Sequence, residues 1–128
     1  AIIELVEKII EEAIESDASD IHIQPSEFEL DIRYRIDGVL QSIMVLPHSR
    51  TRPINSRLKV MSNLDIAETR KPQDGRFKHS MASGKVFDFR VSTYPTEFGE
   101  KTVMRILDPS KGQISLDKLG FSKNTLDG

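Results

Sequence analysis

The chain has neither cysteine nor tryptophan among its 128 residues, and its aromatics are limited to 6 phenylalanines and 2 tyrosines. Without a thiol there is no disulfide framework, no zinc ribbon and no cysteine nucleophile. No apolar run approaches the ~20 residues of a membrane-spanning helix, and no basic stretch precedes an apolar core at the start. These features predict a soluble, cytoplasmic protein. Also missing are the Gly-x-x-x-x-Gly-Lys-Ser/Thr loop, the Gly-x-Gly-x-x-Gly fingerprint and the Gly-x-Ser-x-Gly nucleophile turn. The chain therefore cannot enclose a nucleoside triphosphate in the P-loop manner, and on its own it is not expected to be an enzyme. His22, His48 and His79 lie far apart with no metal-ligand spacing, so they read as surface residues and no metal site is expected. Carboxylate pairs such as Glu11 and Glu15 are explained by a glutamate-rich helix face.

What is present is enough for one compact core. The net charge of −2 conceals an asymmetry. Residues 1–49 carry a balance of −8 and residues 50–105 a balance of +6, which suggests an electrostatic partner for the second half. An acidic first helix beside an ordinary surface is the plainer explanation, and composition alone favours it.

Residues 1–16 read as an amphipathic helix, with Ile2, Val6, Ile9 and Ala13 interleaved with Ile3, Ile10 and Ile14. Its glutamate-rich polar face argues for core packing over a membrane surface. Asp17-Ala18-Ser19-Asp20 ends it. Ile21 and Ile23 then alternate with polar neighbours in a short strand stopped by Pro25. Leu30, Ile32, Tyr34 and Ile36 share one face of a second strand, opposite Glu29, Asp31, Arg33 and Arg35. Arg33 and Arg35 are expected to be solvated or paired with Asp31 and Glu29. Asp37-Gly38 signals a hairpin into a third strand over 39–46. The three form an antiparallel meander that the first helix would cover.

Ile54, Leu58 and Met61 predict a second helix starting near Thr51 or Arg52, with Pro53 in its first turn. Arg50, Arg52, Arg57 and Lys59 surround that stripe. Such a pattern can bind nucleic acid or anionic lipid, but it more often marks a solvated face on a core helix. Asp65–Gly75 reads as an extended connector with a turn at Asp74-Gly75. Strands follow over 76–81, 85–93 and 101–107, separated by turns at 82–84 and 94–99. Phe87, Phe89, Val91 and Thr93 face one way, so Arg90 points away from the aromatic core. Arg105 shares a face with Val103 and Leu107, which predicts partial burial. Asp108-Pro109-Ser110 breaks the last strand, and a short helix is expected to start near Ser115.

Arg76, Arg90 and Arg105 recur at near-equal spacing, each at the start of or inside a strand. Neighbouring strands can gather them into one cationic surface. Arginine suits phosphate because its planar guanidinium keeps its charge and offers a fixed fork of donors. The stretch thus reads as presenting arginines to a phosphate it does not itself enclose. Nucleic acid is a weaker reading, because the few aromatics that would stack on bases fall mostly at buried positions.

Several ordered motifs carry a family resemblance. They are Ser19-Asp20-Ile21-His22-Ile23-Gln24-Pro25, Arg35-Ile36-Asp37-Gly38, Ser56-Arg57-Leu58-Lys59, Leu64-Asp65-Ile66-Ala67-Glu68 and Arg70-Lys71-Pro72-Gln73-Asp74-Gly75-Arg76. Phe89-Arg90-Val91-Ser92-Thr93 and Glu100-Lys101-Thr102-Val103-Met104-Arg105-Ile106-Leu107 complete the set. Together, over almost the whole chain, they resemble the N-terminal (N2, PAS-like) domain preceding the motor core of type II secretion and type IV pilus assembly ATPases. The pattern is closer to the secretion and pilus-extension branch than to the retraction branch.

The resemblance implies an α+β fold, a PAS-like antiparallel sheet flanked by helices, over residues 1–110. Residues 111–128 would connect toward a RecA-like motor domain absent from this chain. It further implies a homohexamer with ATP and Mg bound mainly by that motor domain, and contact with inner-membrane secretion or pilus platform proteins. The expected location is cytoplasmic, open to peripheral contact with the inner membrane. Arg76, Arg90 and Arg105 match the arginines that reach ATP phosphates in that family, with Arg76 and Arg90 in the nucleotide-binding role. The Walker A loop, acidic boxes and catalytic glutamate of the family have no counterpart here, so hydrolysis would belong to the whole protein. The alternative of another class is a stand-alone PAS-like ligand-sensing or protein-interaction domain, which would need a cavity in its core.

Overall fold

The first helix, α1 (Ile2–Glu15), buries Val6, Ile9, Ile10 and Ala13 along one stripe, as its apolar spacing requires, in a computed structural model that describes residues 2–107. Its end is closed by backbone hydrogen bonds. Asp17 turns left-handed at φ 63, its N–H donates to the Ile14 carbonyl, and the Ala18 N–H donates to that of Ala13. This paired closure satisfies carbonyls the helix would otherwise leave bare.

Strands β1 (Asp20–Pro25), β2 (Glu29–Ile36) and β3 (Val39–Pro47) form the expected antiparallel meander. The hairpin between β2 and β3 turns on Asp37 and Gly38 at φ 53 and 79, the two positive values that match strand twist. A single 3-10 turn at His48–Arg50 leads into α2 (Thr51–Met61), which buries Ile54 and Leu58. Strands β4 (Gln73–Ser80), β5 (Val86–Thr96) and β6 (Gly99–Leu107) make a second meander. Pairing of β1 with β6 fuses the two into one antiparallel sheet of order β3-β2-β1-β6-β5-β4.

One face of this sheet is covered. Ile21, Ile23, Leu30, Ile32, Tyr34, Phe89, Val91 and Met104 form a single core with the buried stripes of α1 and α2. The Tyr34 hydroxyl donates to the Ile9 carbonyl at 2.6 Å and ties α1 to β2. Burial, with Glu12 nearby, pushes its pKa up to about 12. Among the described residues no helix lies over the opposite face, and the alternate residues of every strand point there.

Three local expectations are corrected. Asp74-Gly75 is not a turn but the interior of β4. A Cβ on Gly75 would stand 2.8 Å from the Ser62 carbonyl oxygen and 2.9 Å from Leu64 Cδ2, so the glycine serves the close approach of the connector. That connector stops at Pro72, short of Gly75. The segment 94–99 is not a loop either: β5 runs to Thr96, Pro95 lies opposite Glu100, and the reversal is confined to Glu97 and Phe98. The strand break at Asp108-Pro109-Ser110, the helix near Ser115 and the boundary at residue 110 lie outside the described residues. No helix among the described residues is long and apolar enough to cross a membrane.

Candidate functional site

Strand register settles where the three arginines go. Arg76 lies directly opposite Arg90, and Arg90 directly opposite Arg105. They occupy one row across β4, β5 and β6, at the ~4.8 Å spacing of adjacent strands. Their alternates Phe77, Phe89 and Met104 are buried beneath α1 and α2, so the row lies on the uncovered face. A shallow trough there is lined by Asp74, Arg76, Arg90, Ser92, Arg105 and Leu107. Like charges set directly opposite each other cost about 0.2–1 kcal/mol per pair. Among the described residues neither Arg76 nor Arg90 has an ion pair to offset that cost.

The row continues past the three. Arg105 is opposite Asp20 of β1, and Asp20 is opposite Arg35 of β2. Asp20 Oδ2 lies 3.3 Å from Arg35 Nε, and Asp20 Oδ1 lies 3.5 Å from Arg105 Nε. Arg35 therefore pairs with Asp20 and not with Glu29, whereas Arg33 does meet Asp31, at 2.7 Å. The expected partial burial of Arg105 is not found: its side chain is 67% exposed. Val103 and Leu107 do share its face, but among the described residues nothing covers that face, so their company shields little.

His22 sits on the same face. Burial lowers its pKa, Lys101 lowers it further, Asp20 opposes the shift, and Arg35 and Arg33 add to it. The two other histidines are less superficial than their isolation in sequence suggests. His79 Nε2 is 2.9 Å from Glu11 Oε2, linking β4 to α1, and His48 Nε2 is 2.7 Å from the Phe98 carbonyl oxygen. Among the described residues no three His, Cys, Asp or Glu side chains are grouped to hold a metal.

A second polar arrangement escaped the sequence reading. Lys59, counted there with the basic residues surrounding α2, is 1% exposed and 2.7 Å from Glu100 Oε1. Its ammonium also donates to Glu100 Oε2 at 2.9 Å and to the Glu68 carbonyl at 2.7 Å. Asn55 extends the network by donating to the Glu100 carbonyl and accepting from Thr102 Oγ1. The available signal was spacing: Asn55, Lys59 and Ser62 form a polar stripe at i, i+4, i+7 beside the apolar one. A cleft of about 480 Å³, bordered by His48, Thr51, Arg52 and Phe98, has this pair in its wall. The ammonium's three donors are all used, so the pair braces α2, β6 and the connector and the ammonium itself is not free for a ligand.

Comparison with known proteins places the chain in a family. The chain matches the family described as Type II/IV secretion system protein over residues 1–128. It is 50% identical over 125 residues to the type IV pilus assembly ATPase PilB of Myxococcus xanthus, covering 98% of this chain and 22% of that protein. It is 47% identical over 125 residues to type II secretion system protein E of Xanthomonas campestris pv. campestris, again 98% of this chain and 22% of the relative. The chain thus spans about a fifth of the curated relatives it matches. In fold it resembles the crystal structure of the Legionella pneumophila ATPase DotB, with a TM-score of 0.55 at 19% identity over 79% of this chain and 28% of that one. By full-length match and by close relatives, the chain belongs to the type II/IV secretion system protein family.

Proposed function

We propose that this domain completes the nucleotide site of a hexameric type II secretion or type IV pilus assembly ATPase, by presenting Arg76, Arg90 and Arg105 to ATP phosphates. The observation that carries this is the register: three arginines directly opposite one another on a face that no described helix covers, two of them without a counter-charge among the described residues. A polyphosphate is the ligand chemistry that turns that mutual repulsion into attraction. The guanidinium forks would bind and orient its oxygens and stabilise charge developing on them. Bound Mg–ATP supplies the phosphoryl group for transfer. The described residues offer no metal cage, so Mg would be held by the RecA-like motor domain.

The arginines stand on a rigid sheet and the trough is shallow, so the phosphates must be brought to them. In this reading, hydrolysis is fast only when the domain closes on the motor domain, and hydrolysis is thereby coupled to domain motion. We read the fold as PAS-like, the protein as cytoplasmic, and its outward contacts as inner-membrane platform proteins. A ligand-sensing module would hold its small molecule between helices and sheet. That space is filled by Ile9, Ile21, Ile54, Leu58, Phe89 and Met104, all at most 1% exposed.

Changing Arg76, Arg90 and Arg105 singly to alanine in the full-length protein tests the reading. Arg90→Ala is expected to lower ATP turnover by about 10²–10³-fold, the usual loss when one preorganised donor to a developing charge is removed. Hexamer formation should be unchanged and thermal melting should not fall, because the side chain is exposed and its loss relieves repulsion from Arg76 and Arg105. Undiminished turnover in all three variants would sink the assignment.

A further inference from the structure

We infer that Asp20 is a built-in competitor for the phosphate at Arg105, an internal anion that weakens polyphosphate binding to the arginine row. The inference rests on the reading of that row as a phosphate site and adds the residue that regulates it.

Among the described residues Asp20 is the one carboxylate in the row itself. It is placed between Arg105 and Arg35 by two separate strand pairings, one on each side. Its backbone cannot drift, because the neighbouring Ser19 is bonded in both directions. The Ser19 N–H donates to the Arg35 carbonyl at 2.8 Å, and the Ile106 N–H donates to the Ser19 carbonyl at 2.9 Å. The carboxylate is only 12% exposed, while Arg105 is largely in solvent. One partner is therefore fixed and the other free to move.

The grip is asymmetric as well. Oδ2 is engaged by Arg35 Nε at 3.3 Å and by the Ser19 hydroxyl at 3.3 Å, and Arg35 is steadied by its Nη1 donating to the Gly38 carbonyl at 3.2 Å. Oδ1 meets only Arg105, through Nε at 3.5 Å, a long and weak contact. Arg105 thus keeps its terminal amino groups for another anion, while a full negative charge beside it reduces their pull. Other acids border the row without entering it. Asp74, on the same face, accepts a hydrogen bond from the Ser92 hydroxyl at 2.6 Å and touches no arginine.

The test is a titration of the chain with inorganic tripolyphosphate at low salt. Binding is followed by calorimetry and by the NMR resonances of the arginine Nε–H groups, with far-UV circular dichroism as the fold control. Asp20→Asn is expected to tighten binding about threefold to tenfold, the effect of one charge removed at partly screened distance. Glu27→Gln, an exposed acid beyond the far end of β1 and outside the trough, should change it less than about twofold, and in an Arg105→Ala background Asp20→Asn should lose its gain. If Asp20→Asn fails to fold, Asp20→Ser carries the same expectation. An affinity unchanged or weakened by neutralising Asp20, or a gain that persists without Arg105, overturns the inference. Absence of any tripolyphosphate binding that Arg90→Ala abolishes overturns the phosphate reading itself. Binding that depends on Arg90 but is indifferent to Asp20 overturns only the role of Asp20.

Discussion

Lys59 and Arg90 are cations on opposite faces of one sheet, and the molecule treats them in opposite ways. Lys59 is buried with every donor used, two on Glu100 and one on the Glu68 carbonyl. Arg90 stands between two other arginines with no carboxylate in contact. A charge removed from water needs complete pairing, whereas a charge kept in water for a visiting anion is useful only while it stays unpaired. Exposure and pairing together separate the brace from the proposed site.

The comparison breaks most visibly at Lys59. Lys59→Ala should destabilise the domain by about 3–5 kcal/mol in urea unfolding, because Glu100 is left buried and uncompensated. The double change Lys59→Met with Glu100→Leu should recover most of that loss, which would mark the pair as structural. A loss below ~1 kcal/mol for Lys59→Ala would mean the pair is not buried in solution.

Gly75→Ala probes the covered face directly beneath the site. The new Cβ would meet the Ser62 carbonyl at 2.8 Å, backbone that cannot swing aside, and the expected cost is about 1–3 kcal/mol by denaturant titration. Tripolyphosphate affinity below the melting point should remain, since Arg76 faces the other way. Arg90→Ser sharpens the contrast from the opposite side. It should raise stability by about 0.2–1 kcal/mol while abolishing phosphate binding, an inverse relation of stability and function that Lys59 would never show.

The smallest expected effect is at His22. Its folded pKa lies below the ordinary 6.5, so the unfolded chain takes up the proton more readily. Stability contributed by the neutral imidazole is therefore complete above pH ~6.5 and declines as the pH falls through and below that value. Melting temperature measured down that range should fall, and His22→Gln should flatten the slope.

Much of the fold was legible in sequence, for identifiable reasons. Period-two alternation from Leu30 to Ile36 fixes which side chains go inward, and Asp37-Gly38 has the two residues a tight hairpin prefers. The outward direction of Arg90 followed from its aromatic neighbours. What could not be read was long-range pairing. No local pattern says that β6 returns to lie beside β1, and that pairing is what carries the arginine row to Asp20. The burial of Lys59 was hidden because its partner Glu100 is 41 residues away. Gly75 misled because Asp-Gly is a turn signal, while here the missing Cβ makes room for another segment of backbone.

The fusion of β1 to β6 has a mechanical consequence. Arg105 lies two residues before Leu107, the last residue of β6, and this strand is held on both edges near the middle of the sheet. A pull on the chain beyond Leu107 is delivered along β6 and loads its flanking hydrogen bonds in shear, many at once. Any slip of β6 along its axis changes the offset of Arg105 from Asp20 on one side and from Arg90 on the other. Traction on the following segment would therefore alter the spacing of the charges along the arginine row.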